Sequence, residues 1–440
     1  MVKLKLKIIG CLCVFVFLFA FLSVGLVQAV GSTIITVGGT PCDLAVTPDG
    51  RYVYVPTGKA VAVIDTTTNK LLTSINTGRS QGVAVTPDGE YVYVTNNIPI
   101  DMESGGSVSV ISVVTNTVTS TVMVRGNPMA VVITPNGKYA YVLSHEPVLM
   151  DAETNLKKMF GLVSVIDTAS KTVVTTVTTG FASNAITIAF NGNYAYVANS
   201  DGTLSVIDSS FKVETKNVVT ENVNFRDIAI SPDDKYLYVT ASDEVLVVSV
   251  ASNVVVATID VFGYPSCVAV TSDGKYVYVT EIWNNAVFVI NAATYVVEYA
   301  VGVGTSPQGV VMAPDGKCVY VANLDYRQVG EKVYEVEYVG TISVVSTDSK
   351  AVTTITPSRP PEAVNSGESG FNVSPSTDAP EPSNLDVSLQ SVLVMVVLGV
   401  VVVGVVFLVV MRIKRKPKAS FSVISDVKSN LLTAFWLIPQ

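Results

Sequence analysis

The stretch TPDGEYVYVTN, from Thr86 to Asn96, joins a tight-turn signal to a β-strand pattern. The dipeptide Asp88–Gly89 is typical of hairpin turns, because glycine reaches positive φ without a steric penalty. Tyr91 and Tyr93 then alternate with valines, and aromatic and β-branched residues are favoured in strands. The stretch therefore predicts a strand that begins directly after a tight turn.

The same pattern recurs seven times along the chain, with its turn centred at residues 49, 88, 136, 191, 233, 273 and 315. Each copy contains four strand-like segments, and a period of about 40 residues with four strands is typical of a propeller blade. We therefore predict an all-β fold for residues 30–357. It would be a seven-bladed β-propeller of four-stranded antiparallel blades.

The turn residues and tyrosines of the repeat are predicted to be structural. The strands are apolar on both faces, so each sheet should lie between two others, and the tyrosines should pack between blades with their hydroxyls bonded. Carbohydrate stacking is the less favoured interpretation of these tyrosines. The predicted structural residues are Asp49, Gly50, Tyr52, Tyr54, Asp88, Gly89, Tyr91, Tyr93, Asn136, Gly137, Tyr139, Tyr141, Asp273, Gly274, Tyr276, Tyr278, Asp315, Gly316 and Tyr320.

Residues Tyr93–Asn96 spell YVTN, and VSVID stands in a third strand at Val163–Asp167. With the TPDG turns, these motifs resemble the YVTN-type β-propeller repeat family of archaeal and bacterial cell-surface and surface-layer-like proteins. The resemblance covers about residues 33–357. It implies a propeller outside the cell and implies no particular reaction.

The N-terminus has the pattern of a secretory signal. Three lysines precede an uncharged apolar run over residues 8–27, and small residues follow. We predict a signal peptide over residues 1–29, with an uncleaved signal anchor as the alternative.

The C-terminus has the pattern of a membrane anchor. Val387–Met411 carries no charge and is long enough to cross a bilayer as a helix. The basic tail, residues 412–440, should be cytoplasmic. Residues 358–386, rich in proline and serine, would be an extracellular stalk with a glycosylation sequon at Asn372. These segments predict a single-pass protein of the cell membrane.

The exported part is strongly acidic. Residues 30–386 hold 19 Lys and Arg against 35 Asp and Glu, a net charge of −16. Because phosphates would be repelled, nucleic acid is excluded as a partner. The predicted partners are an envelope protein or a glycan, together with the membrane.

Little in the sequence predicts chemistry. The single histidine excludes a multi-histidine copper or zinc site, and no phosphate loop or Cys-x-x-Cys-His haem signature is present. Cys42, Cys267 and Cys318 are interpreted as small buried residues, with a Cys42–Cys318 bridge as the alternative. We predict no enzyme, no catalytic residue, no metal and no cofactor. Calcium on acidic loops is left open without a ligand motif.

Three long loops between second and third strands, about residues 97–106, 144–161 and 324–340, should share one face. Loops on a rigid scaffold often carry binding function, and tolerated surface insertions are the alternative. The predicted function is non-catalytic binding, adhesion or a surface-layer-like structural role through this face. The candidate residues are Asp101, Glu103, His145, Glu146, Asp151, Glu153, Trp283, Asp325, Tyr326, Arg327, Glu331 and Tyr334.

The competing hypothesis is an exported enzyme, such as a lactonase-like hydrolase, with a carboxylate metal site at the channel mouth. Its polar residues would come from Asp43, Arg226 and Asp227 near the starts of first strands, although their place on blades 1 and 5 favours a channel or structural role for them. How the ring closes is a separate question. Residues 33–38 and 351–357 both match the outer strand of the last blade.

Overall fold

Seven separate four-stranded antiparallel sheets form the described part of the chain. The structure is a computed structural model that describes residues 37–97, 105–146, 159–218, 223–261, 263–328, 336–347 and 352–355. In every sheet the four strands are hydrogen-bonded in chain order, so each sheet is one blade. The prediction of an all-β, seven-bladed propeller with four-stranded blades is confirmed.

The strands are numbered β1 to β28 in chain order, four to a blade. Blades 1 to 3 comprise β1 Ala45–Val46, β2 Tyr52–Pro56, β3 Ala60–Asp65, β4 Lys70–Asn76; β5 Arg79–Val85, β6 Tyr91–Asn97, β7 Gly106–Ser112, β8 Thr117–Val124; and β9 Asn127–Ile133, β10 Tyr139–Glu146, β11 Phe160–Asp167, β12 Thr172–Phe181. Blades 4 and 5 comprise β13 Ser183–Ile188, β14 Tyr194–Asn199, β15 Thr203–Asp208, β16 Val213–Asn217; and β17 Phe225–Ile230, β18 Tyr236–Ala241, β19 Glu244–Ser249, β20 Val254–Asp260. Blades 6 and 7 comprise β21 Pro265–Val270, β22 Tyr276–Glu281, β23 Ala286–Asn291, β24 Val296–Gly302; and β25 Pro307–Met312, β26 Cys318–Gln328, β27 Val336–Ser346, β28 Val352–Ile355.

Burial falls from the middle of each blade to its outer edge. In blade 2, β6 and β7 are buried along nearly their whole length, whereas β8 is mostly exposed. Because both faces of a middle strand are apolar, each face packs on a neighbouring blade. The first strand of each blade is innermost and faces the central channel.

The turn between first and second strands is held by the residues of the repeat. In blade 2 the Thr86 hydroxyl donates to Asp88 Oδ1 at 2.5 Å, and the same oxygen accepts the Glu90 N–H at 2.9 Å. Gly89 has φ of +73°, a conformation in which a side chain would be strained.

Blade 5 has Asp234 where the six other blades have a turn glycine with positive φ. Its φ of +57° is unfavourable for a residue with a Cβ atom. The Asp234 carboxylate accepts the N–H groups of Phe190 and Asn191 in blade 4, at 2.7 and 2.9 Å. These bonds between blades offset the local strain and explain the departure from the repeat.

The second tyrosine of each Tyr-x-Tyr pair lies between two blades. Tyr54 is fully buried, and its hydroxyl donates to Asn116 Oδ1 in blade 2 at 2.8 Å. Tyr93 is equally enclosed, and its hydroxyl lies 3.5 Å from the carbonyl of Thr168 in blade 3. The tyrosine of one blade therefore fastens the outer hairpin of the next.

The ring closes between blades 7 and 1. β28, Val352–Ile355, pairs with β27 and is the outer strand of blade 7. Val37 donates its N–H to the Gly340 carbonyl at 3.3 Å and shares a buried cluster with Ile342. The C-terminal candidate segment thus supplies the outer strand, while residues 33–36 lie outside the described residues.

The predicted signal segment, stalk, membrane span and tail all lie outside the described residues. The chain divides into units Met1–Pro361 and Glu362–Gln440, and the second lies wholly outside the described residues, as does the signal segment. Among the residues that the structure describes, no helix is long and apolar enough to cross a membrane. The predicted span 387–411 and the sequon at Asn372 are not among them.

We expect Gly89→Ala to lower the free energy of unfolding by about 1–2 kcal/mol, because its φ of +73° strains a residue with a Cβ atom. Gly302→Ala is the matched control, since a Cβ there meets nothing within 4 Å. Urea denaturation followed by circular dichroism measures both. Equal stability of the two variants would contradict a left-handed backbone conformation at Gly89.

Candidate functional site at the channel mouth

Four hydrogen bonds at the mouth of the channel each join one blade to the next. They start from the side chains at the beginnings of the first strands, on the face that carries the long loops. Each side chain donates to a main-chain carbonyl of the following blade, so the rim is fixed by contacts between blades. The four bonds run from Cys42 to Gln81, from Asn184 to Phe225, from Arg226 to Pro265 and from Ser266 to Gln308, over 3.2, 2.6, 2.9 and 3.5 Å.

Two carboxylates lie one residue deeper in the channel. Asp43 accepts the N–H of Val83 in blade 2 at 2.9 Å, and Asp227 accepts the N–H of Val268 in blade 6 at 2.8 Å. Each carboxylate therefore ties its inner strand to the next one. These contacts agree with the favoured interpretation of Asp43 and Asp227 as structural groups, and they do not favour a ligand-binding cluster with Arg226.

The surroundings of these groups favour their neutral forms. Burial raises the pKa of Asp43 to about 7 despite two N–H bonds to its oxygens, and the charge of Asp227 adds to the effect. Burial likewise raises the pKa of Asp227 to about 6. The pKa of the Cys267 thiol is raised well above its usual value by burial and by both carboxylates. Since the channel reaches all three side chains, water screens part of this effect.

A pocket of about 550 Å³ opens at the mouth between blades 7, 1 and 2. Cys42 lies on its wall, and Lys59 and Arg79 bring two positive charges to its edge. Asn97 donates to the side-chain oxygen of Gln81, and both residues line the pocket. In the described part of the structure, the buried Oδ1 of Asn97 has no hydrogen-bond partner, so an acceptor is left unsatisfied at the wall.

Blades 5 and 6 carry an aromatic shelf, defined here as Arg226, Tyr264 and Trp283. The Arg226 guanidinium lies 3.2 Å from the centre of the Tyr264 ring, and the Tyr264 and Trp283 rings are 5.9 Å apart. Trp283 is 72% exposed. Arg226 stands on the channel rim, so the shelf borders the same mouth as the pocket.

Six of the twelve predicted loop-face residues lie in the described part of the structure, and two of these form local polar contacts. Asp325 is bonded to the Thr305 N–H and the Thr341 hydroxyl, at 2.8 and 2.7 Å, and so fastens a hairpin. Glu146 forms an ion pair with Arg125. The residues outside the described part are Asp101, Glu103, Asp151, Glu153, Glu331 and Tyr334.

His145 and the segment 324–340 are both predicted from the sequence to lie in surface loops. The structure shows that each takes part in contacts of the propeller. His145 Nε2 lies 2.6 Å from the Ser183 carbonyl, so the ring fastens blade 3 to blade 4. The segment 324–340 is not wholly loop. β26 and β27 extend into it, and Tyr326 and Arg327 are strand residues there. The extended hairpin continues the strand pairing of blade 7 because successive residues keep the antiparallel register.

Sequence reasoning missed Tyr264, Lys59 and Arg79. These residues do not belong to the repeat motif. They reach the channel mouth because the blades are arranged in a ring. The three cysteines are not joined in a disulfide, so the Cys42–Cys318 bridge is absent. Within the described ranges, no group of three or more His, Cys, Asp or Glu side chains could hold a metal ion.

Comparison with known proteins found a match to one family model and a solved structure of similar fold. A family model described as the cytochrome D1 heme domain matches residues 156–248, less than half of the chain. Among solved structures, a chain of hydrazine synthase from Kuenenia stuttgartiensis is similar with a TM-score of 0.57 and 24% identity. That likeness covers 68% of this chain and 96% of the other, and it shows the fold alone. No curated protein matches the chain.

These findings correct the functional predictions. The heme-domain match contradicts a non-catalytic adhesion or surface-layer protein, and with it the cell-surface and protein-binding description. The prediction of no cofactor is wrong for the same reason, and the prediction of no enzyme conflicts with a match to a redox domain. The carboxylate-metal hydrolase offered as the alternative is likewise set aside. A heme held without covalent attachment needs no Cys-x-x-Cys-His motif, so the lack of that motif in the sequence does not conflict with the heme-domain match.

The described residues fit a heme at the mouth pocket better than in the matched segment. Residues 156–248 contain no histidine or cysteine, and Met159 is their one methionine. The pocket has a volume within the range of about 300–1,000 Å³ that holds cofactors. Lys59 and Arg79 would suit the carboxylates of a porphyrin, and Cys42 would offer it a sulfur ligand.

We expect the propeller to lose stability as the pH rises, and Asp43→Asn to remove much of that loss. Because the folded pKa is about 7 against 3.8 unfolded, the folded chain retains a proton that the unfolded chain has released. The contribution is complete below about pH 4 and is lost as the pH rises through about 7, at about 1.4 kcal/mol for each unit of raised pKa. Urea midpoints measured across this range test it.

The control for that experiment is Asp65→Asn. Its carboxylate is exposed, and hydrogen bonds from Thr67 lower its pKa, so its contribution has the opposite pH dependence. An Asp43→Asn variant with the slope of the parent protein would show that Asp43 is ionised in the folded chain.

Proposed function

We propose that this chain is the propeller of an exported, membrane-anchored heme protein with a redox function, and that heme binds in the mouth pocket between blades 7, 1 and 2. The observation that carries the proposal is the combination, in one cavity of about 550 Å³, of the Cys42 thiol with the cations Lys59 and Arg79. The heme-domain match supports the class of cofactor.

The two cations would bind the propionate groups. Lys59 lies in the turn between β2 and β3, and Arg79 begins β5, so they come from adjacent blades. Charge-assisted bonds to carboxylates are stronger than neutral ones, and an arginine can bind both oxygens of one carboxylate. The unsatisfied Asn97 Oδ1 would accept a hydrogen bond from the ligand or from a water beside it.

Cys42 would hold the heme iron through its sulfur. Burial and the charge of Asp43 raise the pKa of its thiol to about 12, so the thiol is neutral without a bound cation. To hold a metal, Cys42 would have to lose its thiol proton, because metal-binding cysteines are thiolates. Asp43 is the adjacent residue, and its pKa of about 7 allows it to hold a proton near neutral pH. When bound, the heme supplies a reversible one-electron couple.

The untested parts of the chain belong to the same proposal. The apolar segments at both ends support export and a single C-terminal membrane anchor: signal segment 1–29, stalk 358–386, membrane helix 387–411 and cytoplasmic tail 412–440. The seven turn-and-tyrosine motifs support a YVTN-type assignment within the propeller class.

We expect the detergent-solubilised full chain to bind hemin saturably, with an absorption spectrum typical of a thiolate-ligated heme. Cys42→Ser should change that spectrum and weaken binding at least tenfold, because the iron loses its sulfur ligand. Absorption titration measures both quantities. Cys318→Ser is the matched control, since that cysteine begins β26 outside the pocket.

Two outcomes would contradict the proposal. One is the absence of saturable hemin binding by a folded chain. The other is an unchanged spectrum in Cys42→Ser with a lost one in His145→Ala, which would move the site to blades 3 and 4.

A further inference from the structure

We propose that the aromatic shelf of Arg226, Tyr264 and Trp283 is a second binding site, which takes a flat, electron-poor aromatic ring that carries an anionic oxygen. The site goes beyond the proposed heme function and does not depend on it. Its residues lie on blades 5 and 6, whereas the pocket lies on blades 7, 1 and 2.

The shelf presents a large aromatic surface to solvent. Trp283 is 72% exposed and Tyr264 is 36% exposed. The two rings lie 5.9 Å apart with an angle of 33° between their planes, close enough to act as one surface. Tryptophan is usually well buried, because its ring removes much apolar area from water when covered. An indole left in water at a fixed position is therefore typical of a recognition site.

A buried carboxylate holds the shelf in place. Glu281 is fully buried and accepts the N–H groups of Tyr264, Trp283 and Asn284, at 2.6, 2.9 and 2.6 Å. Burying a charged carboxylate costs free energy unless such donors surround it. A Cβ at Gly263 would lie 2.3 Å from Glu281 Oε1, so only glycine permits this approach. The backbone beneath both rings is thus preorganised before any ligand arrives.

Blade 6 is the one blade with a carboxylate at the position of Glu281. The position three residues after the buried second tyrosine carries a carboxylate only at Glu281. The other six blades have Thr57, Asn96, Ser144, Asn199, Ala241 and Asn323 at that position. The repeat itself therefore does not require the carboxylate, and its presence in one blade indicates a role local to the shelf.

Charge selects the ligand. Arg226 covers the Tyr264 ring at 3.2 Å, and its Nη1 donates to the carbonyls of Ser242 and Pro265 at 3.1 and 2.9 Å. The guanidinium is thereby fixed beside the rings and repels cationic ligands such as quaternary ammonium groups. Indole and phenol faces are electron-rich, so an electron-poor ring stacks on them favourably. An anionic oxygen on that ring would approach the guanidinium.

The test uses anthraquinone-2-sulfonate, a flat and electron-poor anion, with heme-free full chain. The chain has two tryptophans, so a W436F background leaves Trp283 as the only indole reporter. We expect saturable quenching of its fluorescence. In equilibrium dialysis, Trp283→Ala should bind at least tenfold more weakly, and Trp283→Phe should recover part of the affinity because it restores a ring.

Matched variants separate recognition from adsorption. Phe190→Ala removes another exposed ring, 56% exposed and outside the shelf, and should bind the probe like the parent chain. Arg226→Gln should weaken the sulfonate more than neutral anthraquinone, since only the sulfonate needs the cation. Circular dichroism confirms that each variant is folded.

Four results would overturn the proposal. They are the absence of saturation, an equal loss in Phe190→Ala, tighter binding of a cationic ring such as N-methylacridinium, or displacement of the probe by methyl glucuronide. The last result would identify the shelf as a saccharide site instead. The heme titration is a separate measurement, so failure of one proposal leaves the other standing.

Discussion

The packing of blade against blade is the constraint on which the rest of the structure depends. A sheet whose middle strands are apolar on both faces cannot be stable beside water, and it must lie between two other sheets. Seven such sheets satisfy this condition only when the last meets the first. The buried cluster that joins Val37 and Leu44 to Tyr320 and Ile342 is that meeting point. The fully buried Tyr54, bonded to Asn116 of the next blade, shows how each interface is also aligned by a polar contact.

Ring closure also creates the channel mouth. Inner strands approach so closely that a Cβ at Gly82 would lie 2.5 Å from the Met129 carbonyl. Side chains at the rim then bond to the following blade, as Cys42 does to Gln81. A rim built in this way is rigid, and groups from distant parts of the chain are held beside one another. The raised pKa values of Asp43 and Asp227 follow from the same enclosure.

The two sites inferred at the mouth use different chemistry on the same scaffold. The pocket offers a thiol and two cations and suits an anionic cofactor with a metal centre. The shelf offers an indole, a phenol and a guanidinium fixed by a buried carboxylate. The segment that matches the heme domain lies on blades 3 to 5 and contains no histidine or cysteine.

The sequence by itself determined the propeller. Seven turn motifs with their tyrosines fixed the number of blades and the strand order within each, because turn chemistry and alternation act between near neighbours in the chain. The replacement of the turn glycine by Asp234 in blade 5 can be seen in the sequence. The bonds from Asp234 to blade 4, which offset the strain of that replacement, cannot. The sequence also placed Trp283 among the candidate binding residues.

Only the tertiary structure decided which side chains meet at the mouth. Cys42 and Gln308 are more than 260 residues apart, yet both line one pocket, since the ring brings the first blade to the last. Tyr264 joins Trp283 through a carboxylate whose bonds to main-chain N–H groups leave no trace in a repeat pattern. The predicted loop residues Asp325 and His145 instead form hydrogen-bonded contacts with the Thr305 N–H and the Ser183 carbonyl. Proximity across blades depends on closure of the ring, and a local pattern cannot report it.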